Sequence, residues 1–286
     1  DGDGEVDDDP EDEDDGDGVT VEPVEMTASI DIEKATNGQD ADLAPGAIIL
    51  TDPNNPATVT WTYEVTNTGT LDLINVEVTD DQEGLVGTIP FLAAGATETL
   101  TLTGTAQLGM YGNLGTADGQ PIGGNGNPFG DPVNDDDPSN YTGVFINIEK
   151  QANETEVCEG EEVTYTLITR MLGGAPGVEI RNISVVDNNL PGETLDSDHP
   201  FFIASSDVFD NDKIEFIDNN NDGNSDEEFM WMYTLTLDQT TTNIANDMGM
   251  VYFVDPSGNE FEIGMVGNTD QVTVDVISPE VSVDVS

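Results

Sequence analysis

Thr58-Val59-Thr60-Trp61-Thr62-Tyr63-Glu64-Val65-Thr66 sets Val59, Trp61, Tyr63 and Val65 on one side and the threonines with Glu64 on the other. A two-residue period sorts these side chains cleanly, so the segment reads as a strand with one face in a core and one in water. Asn67-Thr68-Gly69 follows as a turn. Residues 73–79 read as the next strand, and 97–103 repeat the alternation through Leu100 and Leu102. No stretch sustains a helical period. The chain is expected to be all-β.

The same phrases occur twice, in one order. Ile30-Asp31-Ile32-Glu33-Lys34 returns as Ile146-Asn147-Ile148-Glu149-Lys150, and Val59-Thr60-Trp61-Thr62-Tyr63 as Val163-Thr164-Tyr165-Thr166-Leu167. Asn75-Val76-Glu77-Val78-Thr79-Asp80 returns as Asn182-Ile183-Ser184-Val185-Val186-Asp187. Thr99-Leu100-Thr101-Leu102-Thr103 parallels Tyr233-Thr234-Leu235-Thr236-Leu237. We therefore divide the chain into an acidic low-complexity segment (1–25), two β units (26–143 and 144–278) and a short terminal strand (279–286). About seven strands per unit with turns between them suggest two tandem immunoglobulin-like antiparallel β-sandwiches behind an acidic N-terminal extension. Trp61 and Trp231 are the expected large core residues. The short passage through Tyr141-Thr142-Gly143 predicts a semi-rigid tandem.

The phrases from Ile30 to Asp42, Val59 to Gly69 and Asn75 to Asp81 resemble the conserved-repeat immunoglobulin-like domain family of bacterial cell-surface and secreted proteins. Leu92-Ala93-Ala94-Gly95 and Asp137-Pro138-Ser139-Asn140-Tyr141 add to the likeness. It spans nearly all of the first unit; the second is divergent in its loops. The resemblance implies a structural or adhesive role outside the cell and brings no catalytic residues. A glycine-rich insertion at 109–130 departs from it.

Sixty acids stand against five basic residues, Lys34, Lys150, Arg170, Arg181 and Lys213, for a formal net charge of −55. This surplus excludes nucleic acid and anionic membrane as partners, since both require phosphate neutralisation. It also opposes compaction unless salt or a divalent cation screens it. Residues 1–18 hold twelve acids, four glycines, one valine and one proline, too little to form a core. The lone Cys158 and lone His199 permit neither a disulfide nor a thiolate or histidine metal cluster. No run is long and apolar enough for membrane insertion, and no nucleophile–base arrangement suggests an enzyme.

The sharpest motif is Asp218-Asn219-Asn220-Asn221-Asp222-Gly223-Asn224-Ser225-Asp226. Asp218, Asn220, Asp222 and Asp226 supply oxygens at positions one, three, five and nine of a calcium loop. Gly223 turns the chain at six, and Asn224 offers a carbonyl at seven. Phe229 stands at position twelve in place of a bidentate Glu. Secondary calcium candidates are Asp207, Asp210 and Asp212 before the same strand, and Asp135 and Asp137 with their neighbour Asp136. Lys34 and Lys150 fall at equivalent first-strand positions among many asparagines; a side-chain crosslink is one reading of that recurrence, and the repeat itself is the simpler one.

The expected function is that of an extracellular, cell-surface structural protein stabilised by calcium. Its expected partners are copies of itself in a filament or surface layer, or neighbouring surface-protein domains if it is the stalk of an adhesin. Val281, Val283 and Val285 alternate in the last strand and suit pairing with a neighbour's sheet edge. A carbohydrate is the other partner class, with Tyr111, Phe129 and Tyr141 as a stacking platform.

Overall fold

The computed structural model describes residues 25–203 and 213–278, in which strands succeed one another with no helix between them. The first unit supplies β1 (Asp31–Thr36), β2 (Gln39–Asp40), β3 (Ala47–Leu50), β4 (Thr58–Thr66), β5 (Asp72–Asp80), β6 (Gly84–Leu92), β7 (Thr97–Thr105) and β8 (Gly109–Ile122). β9 (Val133–Ala152) is shared. The second unit adds β10 (Glu156–Cys158), β11 (Glu161–Gly173), β12 (Val178–Asp187), β13 (Phe202–Ile203) and β14 (Lys213–Glu215). β15 (Glu228–Leu237), β16 (Thr241–Val254) and β17 (Glu260–Ile277) complete it.

In the first unit the sheet β2-β1-β4-β7 packs over β6-β5-β8-β9. Val59, Trp61, Tyr63 and Val65 of β4 are all buried, as their alternation requires. They meet Leu73, Val76 and Val78 of β5, Ile89 and Leu92 of β6 and Tyr141 of β9. In the second unit β13-β15-β11-β9 packs over β10-β17-β16-β12-β14, and Trp231 is wholly buried between them. Each aliphatic side chain so buried contributes roughly 1.5–3 kcal/mol. One apolar cluster runs from Ile30 to Tyr141 and the other from Val144 to Val274. The molecule is a pair of antiparallel β-sandwiches.

Register places most of the repeated phrases at matching positions in the two units. Lys34 lies opposite Tyr63 on β4, and Lys150 lies opposite Leu167 on β11. Asp80 lies opposite Gly115 on β8, and Asp187 opposite Ala245 on β16. Gly115 in turn faces Asp137, and Ala245 faces Asp270. Three of the four repeated phrases therefore coincide in space. The fourth is offset: Leu100 pairs with Tyr63, whereas Leu235 pairs with Val163, the counterpart of Val59. A Thr-Leu alternation has a period of two and carries no register of its own.

Asn75 and Asn182 have φ of 50° and 54°, and each sits where its strand slips register against the next. An extra residue at this bulge reverses the parity of the strand. Leu73 points inward before it, and Val76, Val78 and Asp80 point inward after it. Asn tolerates the left-handed conformation better than other residues with a Cβ. The bulge thus delivers a carboxylate into each core.

β9 is a 20-residue strand whose first part closes the first sandwich against β8 and whose second part opens the next against β11. The passage at 143, read from sequence as a short connection, is a strand interior. At Gly143 a Cβ would lie 1.9 Å from the Gln107 carbonyl oxygen, so only glycine fits. Two short strands clasp β9 and β17 in parallel: Ala47–Leu50 along Tyr141 to Val144, and Glu156–Cys158 along Asp275 to Ile277.

The glycine-rich stretch expected as an insertion begins with β8, a central strand between β5 and β9. Its glycines make room for the core: a Cβ at Gly115 would lie 3.0 Å from the Tyr63 ring and 3.1 Å from Lys34 Cδ. The acidic segment before Glu25 and the terminal valines after residue 278 lie outside the described residues.

Candidate functional site: two buried lysine clusters

The bulge in β5 and the first strand bring Lys34 and Asp80 together in the first core, where both side chains are wholly buried. Lys34 Nζ lies 2.9 Å from Asp80 Oδ2, an ion pair outside hydrogen-bond alignment, and the ammonium has no hydrogen-bond partner. The same Oδ2 accepts hydrogen bonds from Tyr63 Oη at 2.6 Å and Asn113 Nδ2 at 2.9 Å. Asn113 Oδ1 is buried without a partner. Gln82 and Glu83 amides donate to Asp80 Oδ1 at 3.0 and 3.1 Å.

The second core repeats the set. Lys150 Nζ donates to Asp187 Oδ2, and to Tyr233 Oη at 3.2 Å. Tyr233 Oη donates to Asp187 Oδ2 at 2.7 Å and accepts from Asn243 Nδ2 at 2.6 Å. Asn243 Oδ1 is again buried and unpartnered. Since Asp80 pairs with Gly115 and Asp187 with Ala245, Asn113 and Asn243 occupy the same position two residues before. Behind each lysine an aspartate of the closing strand accepts its backbone amide at 2.7 Å, Asp137 from Lys34 and Asp270 from Lys150.

Burial pushes the ammonium of both lysines below the ordinary lysine value, against the opposing pull of Asp80 and of Asp187. Burial also works to raise Asp80, but the bonds from Tyr63 and Gln82 and the charge of Lys34 outweigh it and hold the carboxyl below its usual range. Burial and the neighbouring aspartate push both phenols, Tyr63 and Tyr233, far up. Desolvating a charge pair costs several kcal/mol per ion, and a well-packed apolar pair of similar size is often no less stable.

The other three cations are also consumed internally. Arg170 bridges Glu149 and Glu228, Arg181 bridges Glu179 and Glu260, and Lys213 bridges Glu179 and Glu215. All five basic residues of the chain are thus paired with carboxylates.

The residues expected to bind calcium that fall among the described ones have the following hydrogen-bond partners. Asp135 and Asp137 lie in β9, where Asp135 accepts the Ile32 amide at 3.0 Å and Asp137 that of Lys34. They stitch β1 to the facing sheet. In the 218–226 loop Asp218 accepts the amides of Asn221, Asp222 and Gly223, and Asp226 accepts those of Asn219 and the Asn220 side chain. Asn220 and Asp222 accept the amides of Asp222 and Asn224 in turn. Asn224 Oδ1 accepts from Gly173 N at 3.1 Å, tying the loop to the junction between sandwiches. Its oxygens are turned onto its own amides, an Asx-rich turn. Asp207, Asp210 and Asp212 lie outside the described residues. Among the described residues no three His, Cys, Asp or Glu side chains gather in a way that suits a metal ion. Nor do the three aromatics make an exposed platform. Tyr141 is buried, with Tyr111 stacked on it at 4.9 Å, while Phe129 is exposed apart from that stack.

No family model matches the chain, and no curated protein matches it. Among solved structures it is similar to fibronectin(III)-like modules of Clostridium thermocellum CbhA, at 13% identity and a TM-score of 0.24, over 86% of this chain and 93% of that one. It is also similar to a Porphyromonas gingivalis W83 protein of unknown function, at 12% identity and a TM-score of 0.25, over 86% and 99% of the respective chains.

Proposed function

We propose that the chain is an extracellular structural protein, a stiff two-sandwich unit that assembles with copies of itself into a filament or surface layer. The observation that carries this reading is β9, which replaces a linker with one continuous strand. A rod unit needs this stiffness; a catalyst has no evident use for it. Pairing every cation internally leaves an exterior that is overwhelmingly acidic, so copies approach one another only when their carboxylates are screened. Calcium enters as that counter-ion, on account of the net charge of −55 rather than of a finished ligand set. The same rod serves as the stalk of an adhesin when its ends meet other domains.

Electron microscopy of the purified full chain in millimolar calcium tests the proposal. Regular filaments or sheets are expected. Dispersed two-lobed rods of constant shape would overturn self-assembly and leave the stalk. Lobes at variable angles would overturn the stiff rod itself.

A further inference from the structure

Each sandwich holds an amine, a carboxyl and a carboxamide in a core that water does not reach. Lys34 Nζ and Asn113 Nδ2 lie against the same oxygen of Asp80, at 2.9 Å each. Lys150 Nζ and Asn243 Nδ2 lie against the same hydroxyl of Tyr233, at 3.2 and 2.6 Å. Both asparagine Oδ1 atoms are buried without a partner, a cost incurred twice at equivalent places. An ion pair alone needs neither asparagine. We propose that Lys34 joins Asn113, and Lys150 joins Asn243, through side-chain amide bonds formed within the folded cores.

The chemistry balances without a co-reactant. Within the pair, Lys34 Nζ passes one proton to Asp80 and becomes a neutral amine, the form that burial favours. The amine attacks Asn113 Cγ, and the C–N bond forms as the carbonyl oxygen takes up charge. That oxygen is Oδ1, which has no other donor; the carboxyl proton on Asp80 polarises it once the amide turns its oxygen toward the acid. The attacking nitrogen then passes a second proton to Nδ2, the Cγ–Nδ2 bond breaks as the carbonyl re-forms, and Nδ2 leaves as ammonia. Ammonia takes the proton held by Asp80 and departs as ammonium, which restores the carboxylate. Lys150, Asp187 and Asn243 follow the same course, with Tyr233 between amine and amide. Fixing the reactants on one oxygen replaces an encounter in solution.

Asparagine is the acceptor rather than the aspartate itself. Asp80 Oδ2 is engaged by Tyr63, Asn113 and Lys34, and an ionised carboxylate resists attack by an amine. The Asn carbonyl is neutral and unencumbered.

Intact-mass spectrometry of the purified, denatured full chain is the test, followed by digestion with a glutamyl endopeptidase and fragmentation of the peptides. The expected result is a deficit of about 17 Da per bond, about 34 Da in all, with branched peptides joining Lys34 to Asn113 and Lys150 to Asn243. Asp187→Ala should return the deficit to about 17 Da with only the first branch remaining. A mass equal to that of the sequence overturns the proposal. So does a deficit of about 18 Da mapping to lysine and aspartate, or a deficit in linear peptides only, which marks a cyclised asparagine. The wild-type measurement decides the matter even where Asp187→Ala fails to fold.

Discussion

Tyr63 and Tyr233 place their hydroxyls 2.6 and 2.7 Å from equivalent aspartates, yet they stand on strands that do not correspond. Tyr63 is on β4, where its counterpart in the second sandwich is Leu167. Tyr233 is on β15, across from Tyr165, the counterpart of Trp61. The phenol has moved to the neighbouring strand of the same sheet while the lysine, aspartate and asparagine have kept their places. What the two cores hold in common is a hydroxyl at the carboxylate, reached from either side.

The bulge asparagines are the first test of how that carboxylate is delivered. Asn182→Ala must hold a left-handed φ with a Cβ and no side-chain amide. It should destabilise the protein by about 1–2 kcal/mol, and Asn75→Ala likewise. Asn182→Gly should stay within a few tenths of wild type. Urea melts of the three variants check this; equal losses for Ala and Gly would mean that the amide itself matters and φ does not.

The shared strand couples the sandwiches. We expect a single calorimetric transition with equal calorimetric and van't Hoff enthalpies, because losing either sandwich strips a neighbour from β9. Gly143→Ala drives a Cβ into the Gln107 carbonyl, and should cost more than about 3 kcal/mol. Gly124, where a Cβ meets open space, is the control and should be nearly silent. Two separate transitions in the wild type would refute the coupling.

Asp247 fixes a pH dependence. It is buried, accepts the Asn268 amide at 2.7 Å and the Thr169 hydroxyl at 3.2 Å, and burial pushes its carboxyl up to about 6. An acid raised above its unfolded value binds its proton more tightly in the native state. The contribution is therefore intact below about pH 4 and lost as pH rises through 6, a penalty of about 2–3 kcal/mol. Asp247→Asn should gain on wild type by that amount between pH 4 and 7. Chemical denaturation of both proteins across this range is the check, and a constant difference would sink the assignment.

Screening gives the fourth expectation. The melting temperature should rise with calcium chloride beyond the rise in sodium chloride of equal ionic strength. If the 218–226 loop is where calcium acts, Asp218→Ala should abolish that excess. Matched curves in the two salts would reduce calcium to one cation among others.

Alternation made the sheets legible in β4, and the repeated phrases made the pairing of units legible, because inward apolar residues every second place have one reading. The junction was hidden by its composition. Asp135, Asp136 and Asp137 look like a loop of acids in sequence, whereas they lie in β9, where two of them accept the amides of β1. Gly109 to Gly119 look like a loop until Tyr63 and Lys34 are seen to need the space above Gly115. The lysine clusters were only half visible. The recurrence of Lys34 and Lys150 was evident, and so was that of Asp80 and Asp187. Nothing local joins either pair to Asn113 or Asn243, whose neighbourhood is created by the register of β8 and β16.

Before the side-chain bonds of Lys34 and Lys150 form, the two parallel clasps decide how the molecule answers a pull on its ends, since residues 47–50 and 156–158 lie within the loops those bonds close. Ala47–Leu50 and the 141–144 reach of β9 run side by side, as do Glu156–Cys158 and the end of β17. Tension drawn from opposite termini drags the partners of each pair past one another lengthwise, so their hydrogen bonds resist together instead of peeling one by one. Bonds that are weak singly then act as a shear latch at the exit of each sandwich.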